Sequence, residues 1–372
     1  MKLVCVSNGP LPYHTPILNE LSKLADLHVL YMSAGHPLGS FSDLWGAEPA
    51  FSHETHWSLA LGRSSNDFRV QLSLGVSRRL QKLDPDVIFF SSWGPLVIEP
   101  LLWNRIAHRK ALMWAESTSY SGLFRNGPAS FARRLVLSQV DAFVSNGSRA
   151  TAYLETLGVD PDTIVTSCLP AAGNGTLALL DDAEPSPASR GGPNYLFVGR
   201  MIPRKRPLEL MQAFAPVTAE LPEATLTMVG DGPLLGEVSR AALPFGPRAS
   251  LPGRLEGEAL QPIYAQADVL VQPAVREVWG LVVNEALAHG LYVIATDQVS
   301  SAHDLLDDEN GVIVPADDPR ALAAAMVEAG RTVSRDAAAR AARARSIADR
   351  TPAAFARDIY RAATLALKAE GR

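Results

Sequence analysis

Cysteine is scarce in this chain: of 372 residues only Cys5 and Cys168 carry a thiol, far apart and each in or beside an apolar run. A pair so placed suggests no disulfide framework and fits a reducing, cytoplasmic setting. Long apolar runs are missing too, since none approaches the ~20 residues that a membrane-spanning helix needs. The opening MKLVCVSNGP has too short an apolar part for a signal peptide and reads as a first strand. A soluble protein is expected, with peripheral contact to a membrane left open. Nor is there an excess of positive charge: the net value of −5 argues against a nucleic-acid footprint. Metal ligands are also lacking. Asp84-Pro85-Asp86 precedes its strand instead of following it and reads as a turn, and no further ligands complete a site at His53 and His56.

What is present is a strand–loop–helix pattern that runs through the chain twice. In the first half, strands are expected at 1–7, 27–32, 86–90, 111–114 and 141–146, with helices at 16–24, 69–83 and 148–157. Residues 36–63 have no clean period and read as a long functional loop. A Pro/Gly/Ser-rich stretch between 170 and 193 marks the linker. Beyond it, strands at 194–199, 224–229, 268–275, 291–296 and 312–314 alternate with helices, and 318–350 and 353–368 read as helical. The arginines of 318–350 alternate with alanines and acids, which suggests a solvated face. This order implies α/β architecture with parallel sheets, right-handed crossovers and ligand loops at the C-terminal strand ends. Two domains suit the length.

The organising stretch is REVWGLVVNEALAHG, 276–290. A strand, a tight loop and a helix opening on Gly280 and closing on Gly290 present backbone N–H groups and a positive dipole end to an anion. Glu277 and Glu285 bracket that opening and offer carboxylates to hydroxyls on either side, as a nucleotide-sugar would require. Gly199-Arg200-Met-Ile-Pro-Arg204-Lys205-Arg206 places four cations in seven residues at a strand end. Such a cluster would repel itself unless something anionic sat there. In the first half, Gly9, Tyr13 and His14 follow the first strand, Trp93 lies in the loop after 86–90, and Glu116 follows 111–114. Five of the six tryptophans fall in the first third of the chain, and an indole face suits a sugar ring. Ordinary core packing is the other reading of each.

Taken together, Glu277-seven-Glu285, the Gly-Arg-…-Lys loop and the Gly230-Asp231-Gly232-Pro233 turn resemble the signatures of the family-4 retaining glycosyltransferases. The resemblance covers 194 to about 330 and implies the GT-B fold: two Rossmann-like, doubly wound domains facing across a cleft, with the C-terminal helix crossing back to the first. It implies an acceptor domain over 1–170 plus 353–372, a linker at 171–193 and a nucleotide-sugar domain over 194–352. It further implies that Arg200 and Lys205 clamp the donor diphosphate and that Glu277 holds the donor sugar. Glu285 would hold the ribose. Arg254, Leu255, Gly280, Leu281, Val282 and Gly9 are donor-binding by the same token, and Tyr13, His14 and Trp93 acceptor-binding. The chain departs from the family in having a single glycine at Gly9, Arg206 where a glycine usually follows the lysine, and Glu116 where many members place a histidine.

The expected function is retaining, metal-independent transfer of a sugar from a nucleotide-diphosphate sugar to a hydroxyl of a glycan, lipid-linked sugar or small natural product. No cofactor beyond the donor is expected. Alternatives are a GT-B epimerase or pseudo-glycosyltransferase and a non-catalytic nucleotide-sugar-binding protein.

Overall fold

A computed structural model describes residues 1–11, 13–32, 48–56, 58–61, 70–73, 75–91, 94–118, 128–171 and 191–369. The chain divides into two compact units, Met1–Leu169 with Pro352–Arg372, and Pro170–Thr351. Trp93 and most of the linker stretch lie outside the described residues.

The first unit is built on β1 (Lys2–Ser7), β2 (Asp26–Tyr31), β3 (Ser52–Thr55), β6 (Val87–Phe90), β7 (Lys110–Ala115), β8 (Ala142–Asn146) and β9 (Ile164–Ser167). They form one parallel sheet in the order β3-β2-β1-β6-β7-β8-β9, beside a separate antiparallel pair, β4 (Ser58–Leu61) and β5 (Val70–Ser73). Helices cover both faces of a parallel sheet, so its strands read as apolar runs. Leu3 to Val6 and Val87 to Phe90 are all fully buried. The order reverses between β1 and β6, which makes the loops leaving those strands the switch point where ligands bind such sheets.

Helix α1 (His14–Ser22) follows β1, while α2 (Val76–Leu83), α3 (Ile98–Ile106), α4 (Pro128–Leu137) and α5 (Gly147–Thr156) precede or join the strands from β6 to β9. Right-handed crossovers running in opposite directions put α1 on one face and α3 to α5 on the other. Val76 and Leu80 of α2, with Leu101, Leu137 and Leu154 of that second set, share one core with Val4, Ile88 and Phe143 of the sheet.

The second unit has β10 (Asn194–Val198), β11 (Thr225–Val229), β12 (Ala249–Gly253), β13 (Val269–Gln272), β14 (Tyr292–Thr296) and β15 (Gly311–Val314). Its parallel sheet runs β12-β11-β10-β13-β14-β15, with the switch point between β10 and β13. Helices α6 (Pro207–Glu220), α7 (Leu235–Ala242), α8 (Gln261–Gln266), α9 (Leu281–Ala288), α10 (Ala302–Leu305), α11 (Pro319–Thr332) and α12 (Ala337–Arg345) surround it. Tyr195, Phe197, Leu210, Phe214 and Met228 anchor its core. The loops leaving β10 and β11 pass so closely that a Cβ on Gly230 (φ 139°) would stand 1.9 Å from the Gly199 carbonyl oxygen.

Helix α13 (Pro352–Lys368) returns to the first unit, as the fold implied. It packs against α1 and the strands β7, β8 and β9. Phe355 meets Trp114 at 4.7 Å between ring centroids, Asp358 accepts a 2.7 Å hydrogen bond from the Ser167 hydroxyl, and Lys110 donates to the Ala369 carbonyl.

Several local expectations need correction. Residues 70–73 are a strand, not the start of a helix at 69: Gly75, in the left-handed region at φ 81°, delays the helix to Val76. β9 was not foreseen, because IVTS is short and follows a turn. The 318–350 segment is two helices, since Asp336 caps a new one by accepting from the Ala339 N–H at 2.7 Å. Nor is the arginine face of that segment solvated throughout: Arg340 and Arg343 are buried.

Candidate functional site

In the second unit the loops leaving β10, β13 and β14 meet around Glu277. The Val275 N–H donates to the Arg204 carbonyl at 2.9 Å, tying the basic loop to the segment before Glu277. Gln298 accepts from the Glu277 N–H at 3.0 Å, and the Ser300 N–H and hydroxyl both donate to the Glu277 carbonyl. Residue 277 is thus fixed by its backbone, which leaves its side chain free to face Lys205. The ammonium of Lys205 donates a short hydrogen bond to Glu277 Oε2, with the two side chains only 12% and 13% exposed.

Gly280 sits directly beside this pair. Its φ of 97° is one that side-chain-bearing residues rarely adopt, and a Cβ there would lie 3.1 Å from Glu277 Cγ. Glycine therefore allows the turn that starts α9 against the carboxylate. The first-turn N–H groups of Leu281 and Val282 have no acceptor within their own helix and form its positive end. Trp279, buried, donates through Nε1 to Asn284 Oδ1 at 2.9 Å and holds the entry angle.

Glu285 faces the interior side of the same helix. It accepts a 2.6 Å hydrogen bond from the Tyr264 hydroxyl of α8, a partner that sequence reasoning missed. Burial pushes the Glu285 carboxyl above its ordinary value, against the opposing pull of Tyr264 and of the Lys205 charge. Burial and the nearby carboxylate raise the Tyr264 phenol well above its usual range. The His289 ring stacks on Tyr264 at 4.7 Å, bridges the Glu285 carbonyl and the Gln261 amide, and is held below its ordinary value by burial.

The other cations of the loop are distributed. Arg204 reaches the Arg276 carbonyl, and Arg206 donates to the Ala316 carbonyl and pairs with Asp317. The expected self-repulsion is therefore relieved largely within the protein. Arg200 is exposed where the loop begins. Arg254 pairs with Glu256 two residues on, and with the half-buried Leu255 it follows the edge strand β12, joined to Lys205 and Glu277 by no described hydrogen bond.

The first unit holds a second cluster. His14, buried at the start of α1, stacks on Trp114 at 4.3 Å and places Nε2 3.7 Å from Glu116 Oε1. Tyr13 donates to the same oxygen at 3.4 Å, and Asn146 reaches it at 3.5 Å while accepting from Trp114 Nε1 at 2.7 Å. Burial, with Glu116 adding to it, raises the Tyr13 phenol well above its usual range. Trp114 is a core residue, and so serves His14 and Glu116 from below. Gly9 is buried, its carbonyl accepting from the Ser7 hydroxyl at 3.0 Å.

Beside Glu116 a pocket of about 180 Å³ opens between the end of β7, α4 and α5, lined by Trp114, Glu116, Ser117, Arg133 and Tyr153 over a floor of leucines. Arg133 is buried, bonds the Tyr153 hydroxyl and lies 5.7 Å from that ring's centroid. Sequence reasoning missed it. The signal was there: position 133 falls one helical turn before the apolar Leu137, on the inward side of α4. Among the described residues no group of three or more His, Cys, Asp or Glu side chains is arranged to hold a metal ion.

Residues 192–331 match the family described as "Glycosyl transferases group 1". The sulfoquinovosyl transferase SQD2 of Arabidopsis thaliana is 36% identical over 119 residues, 32% of this chain and 22% of that protein. A phosphatidyl-myo-inositol mannosyltransferase of Mycobacterium tuberculosis is 33% identical over 144 residues, 37% of each chain. A D-inositol 3-phosphate glycosyltransferase of Xylanimonas cellulosilytica is 33% identical over 214 residues, 56% of this chain and 50% of that one. The chain therefore spans between 22% and 50% of the length of these relatives. Among solved structures, a glycosyltransferase from Rickettsia africae superposes with a TM-score of 0.74 at 16% identity, covering 99% of each chain. Anabaena HepE in complex with UDP gives 0.72 at 16% identity, covering 97% of this chain and 99% of that one. The fold that these likenesses show is GT-B.

Proposed function

We propose that this chain, which has the GT-B fold, is a group 1 glycosyltransferase and transfers a sugar from a nucleoside-diphosphate sugar to a hydroxyl of an acceptor. The acceptor would be a glycan, a lipid-linked sugar or a small natural product. We further propose retention of anomeric configuration, with neither a metal nor another cofactor needed.

The observation that carries this reading is the Lys205–Glu277 pair seated against the glycine-opened start of α9. A cation, a carboxylate and a helix tip within one loop cluster match the three demands of such a donor: negative diphosphate, sugar hydroxyls and developing negative charge on departure. In this reading the diphosphate draws Lys205 toward itself, Arg200 adds a second cation, and Glu277 turns to the donor hydroxyls. Glu285, oriented by Tyr264, holds the ribose. As the glycosidic bond breaks, charge accumulates on the leaving diphosphate and the preorganised donors stabilise it in place. The acceptor hydroxyl would attack from the face that the nucleotide leaves, losing its proton to the departing diphosphate. In the first unit, Glu116 with Tyr13 and His14 would bind sugar or acceptor hydroxyls, and Arg133 lies within the same pocket.

The test is incubation of the pure protein with a panel of nucleoside-diphosphate sugars, with and without candidate acceptors, while following release of free nucleotide. Lys205→Ala should lower release by ~10²–10³, as for loss of one preorganised donor. Glu277→Ala should abolish it. Tight binding without release in every combination would instead indicate a binding role, and a chelator that stops release would refute metal independence. The anomeric configuration of the product, read by NMR, decides retention.

A further inference from the structure

We infer that the face of the first unit made by α3 and α4 is a docking surface for an anionic lipid bilayer. The inference stands apart from the proposed chemistry, because it rests on residues that take no part in either cluster. Among the described residues ten large apolar side chains are exposed, and five of them lie on these two short helices. Ile98, Leu102 and Ile106 recur every fourth residue along α3, and Phe131 and Leu135 do so along α4, each between 47% and 79% exposed. Side chains four apart form a single row on a helix.

Topology brings the rows together. α3 joins β6 to β7 and α4 joins β7 to β8, two successive crossovers in the same direction, so the helices lie side by side on one face of the sheet. Their inward sides meet in a common core through Leu101 and Leu137. The outward rows are thus left toward solvent, and a clustered apolar face of this kind marks an interaction site.

Charge identifies the occupant. α2, which packs against α3, carries Arg78, Arg79 and Lys82; α3 carries Arg105; α4 carries Arg133 and Arg134. The single carboxylate on the three helices is Glu99, and it is turned inward to accept from the Gly75 and Ser77 N–H groups at the start of α2. Arg79 pairs with Glu54 and Arg133 is buried, which leaves Arg78, Lys82, Arg105 and Arg134 exposed on the three helices. A chain of net charge −5 has gathered cations beside its exposed aliphatics. Apolar residues that enter the acyl boundary, ringed by cations for anionic headgroups, are the two requirements of interfacial binding. No helix among the described residues is long and apolar enough to cross a membrane.

The experiment is co-sedimentation of the full chain with vesicles of phosphatidylcholine, alone or mixed with phosphatidylglycerol, at low and high salt. Binding is expected to the mixed vesicles only and to fall with salt. The double variant Ile106→Ser with Phe131→Ser should lose it, and Arg105→Gln and Arg134→Gln should each weaken it about fivefold. Leu243→Ser, which removes an equally exposed leucine of the second unit, should change nothing. All five sites lie at the surface, and unaltered thermal melts would show that folding is intact. No binding to mixed vesicles, equal loss in Leu243→Ser, or a dimer in solution that the double variant splits would each overturn the inference.

Discussion

Glu285 shows how much a single residue's surroundings decide. Its place inside the helix that Gly280 opens was legible from spacing alone, but its environment was not, because nothing in the sequence says that Tyr264 of α8 will stand against it. A carboxyl raised above its ordinary value binds its proton at higher pH in the folded protein than in the unfolded chain. In the window between those two values the folded state holds more protons, so stability falls as pH rises through it. Glu285→Gln keeps an acceptor for the Tyr264 hydroxyl and removes that loss. Its melting temperature should therefore gain on the wild type as pH is raised from about 5 to about 8. A constant difference across that range would refute the assignment. His289 acts with the opposite sign, since a depressed imidazole lowers stability as pH falls below its ordinary value. Comparing wild type with Glu285→Gln cancels that contribution.

Gln272 offers a second test at this scale. It is fully buried at the end of β13, and neither atom of its amide has a hydrogen-bond partner among the described residues. An orphaned buried polar group costs about 1–3 kcal/mol. Gln272→Met, close in shape and apolar, should stabilise the protein by a similar amount in urea denaturation; destabilisation would mean that the amide is satisfied in solution.

At the scale of elements, α9 is clamped from both ends. Its start holds the Lys205–Glu277 pair, and its other end is capped by arginines that sequence reasoning placed in solvent. Arg340 donates to the His289 carbonyl at 3.0 Å and to the Ala267 carbonyl at 2.7 Å, and Arg343 donates to the Gly290 carbonyl at 2.7 Å. Cations at a helix C-terminus complement its dipole while satisfying its last carbonyls. An Ala/Arg-rich helix gives no sign of this, because its arginines reach backbone carbonyls distant in sequence instead of acids at helical spacing. Arg343→Ala leaves the buried Gly290 carbonyl without its charged donor and should cost about 2–3 kcal/mol by chemical denaturation. A loss no larger than that of an exposed arginine, such as Arg345→Ala, would count against the clamp.

The strands, in contrast, were easy to read. Buried on both faces, VIFF at β6, VLVQ at β13 and YVIAT at β14 stand out as apolar runs between turns. The antiparallel pair β4–β5 has no such run, and β9 owes its existence to pairing with β8. Tertiary context, not local pattern, makes those strands.

For the whole molecule, the chain folds as two units, and the first is completed only by residues that follow the second. Phe355 of α13 closes over Trp114, which also carries His14. Removing 352–372 should therefore destabilise the first unit and leave the second intact. Hydrogen exchange would report this as lost protection in β7, β8 and β9 with unchanged protection in β10 to β15. Phe355→Ala alone should cost about 3–5 kcal/mol in the first unit. The repeated strand–helix order made the paired sheets legible. The fine placement of Arg133 and Glu116 was not, since it depends on how α4 and α5 pack over the end of β7.

The central claim is that Lys205, Glu277 and the start of α9 form a diphosphate site. Calorimetric titration of UDP, GDP and ADP into wild type and Lys205→Ala, with the matching nucleosides as controls, tests it most directly. Saturable binding of at least one diphosphate, absent for its nucleoside and weakened at least tenfold by Lys205→Ala, is the predicted result. Diphosphate binding that the substitution leaves unchanged would contradict it.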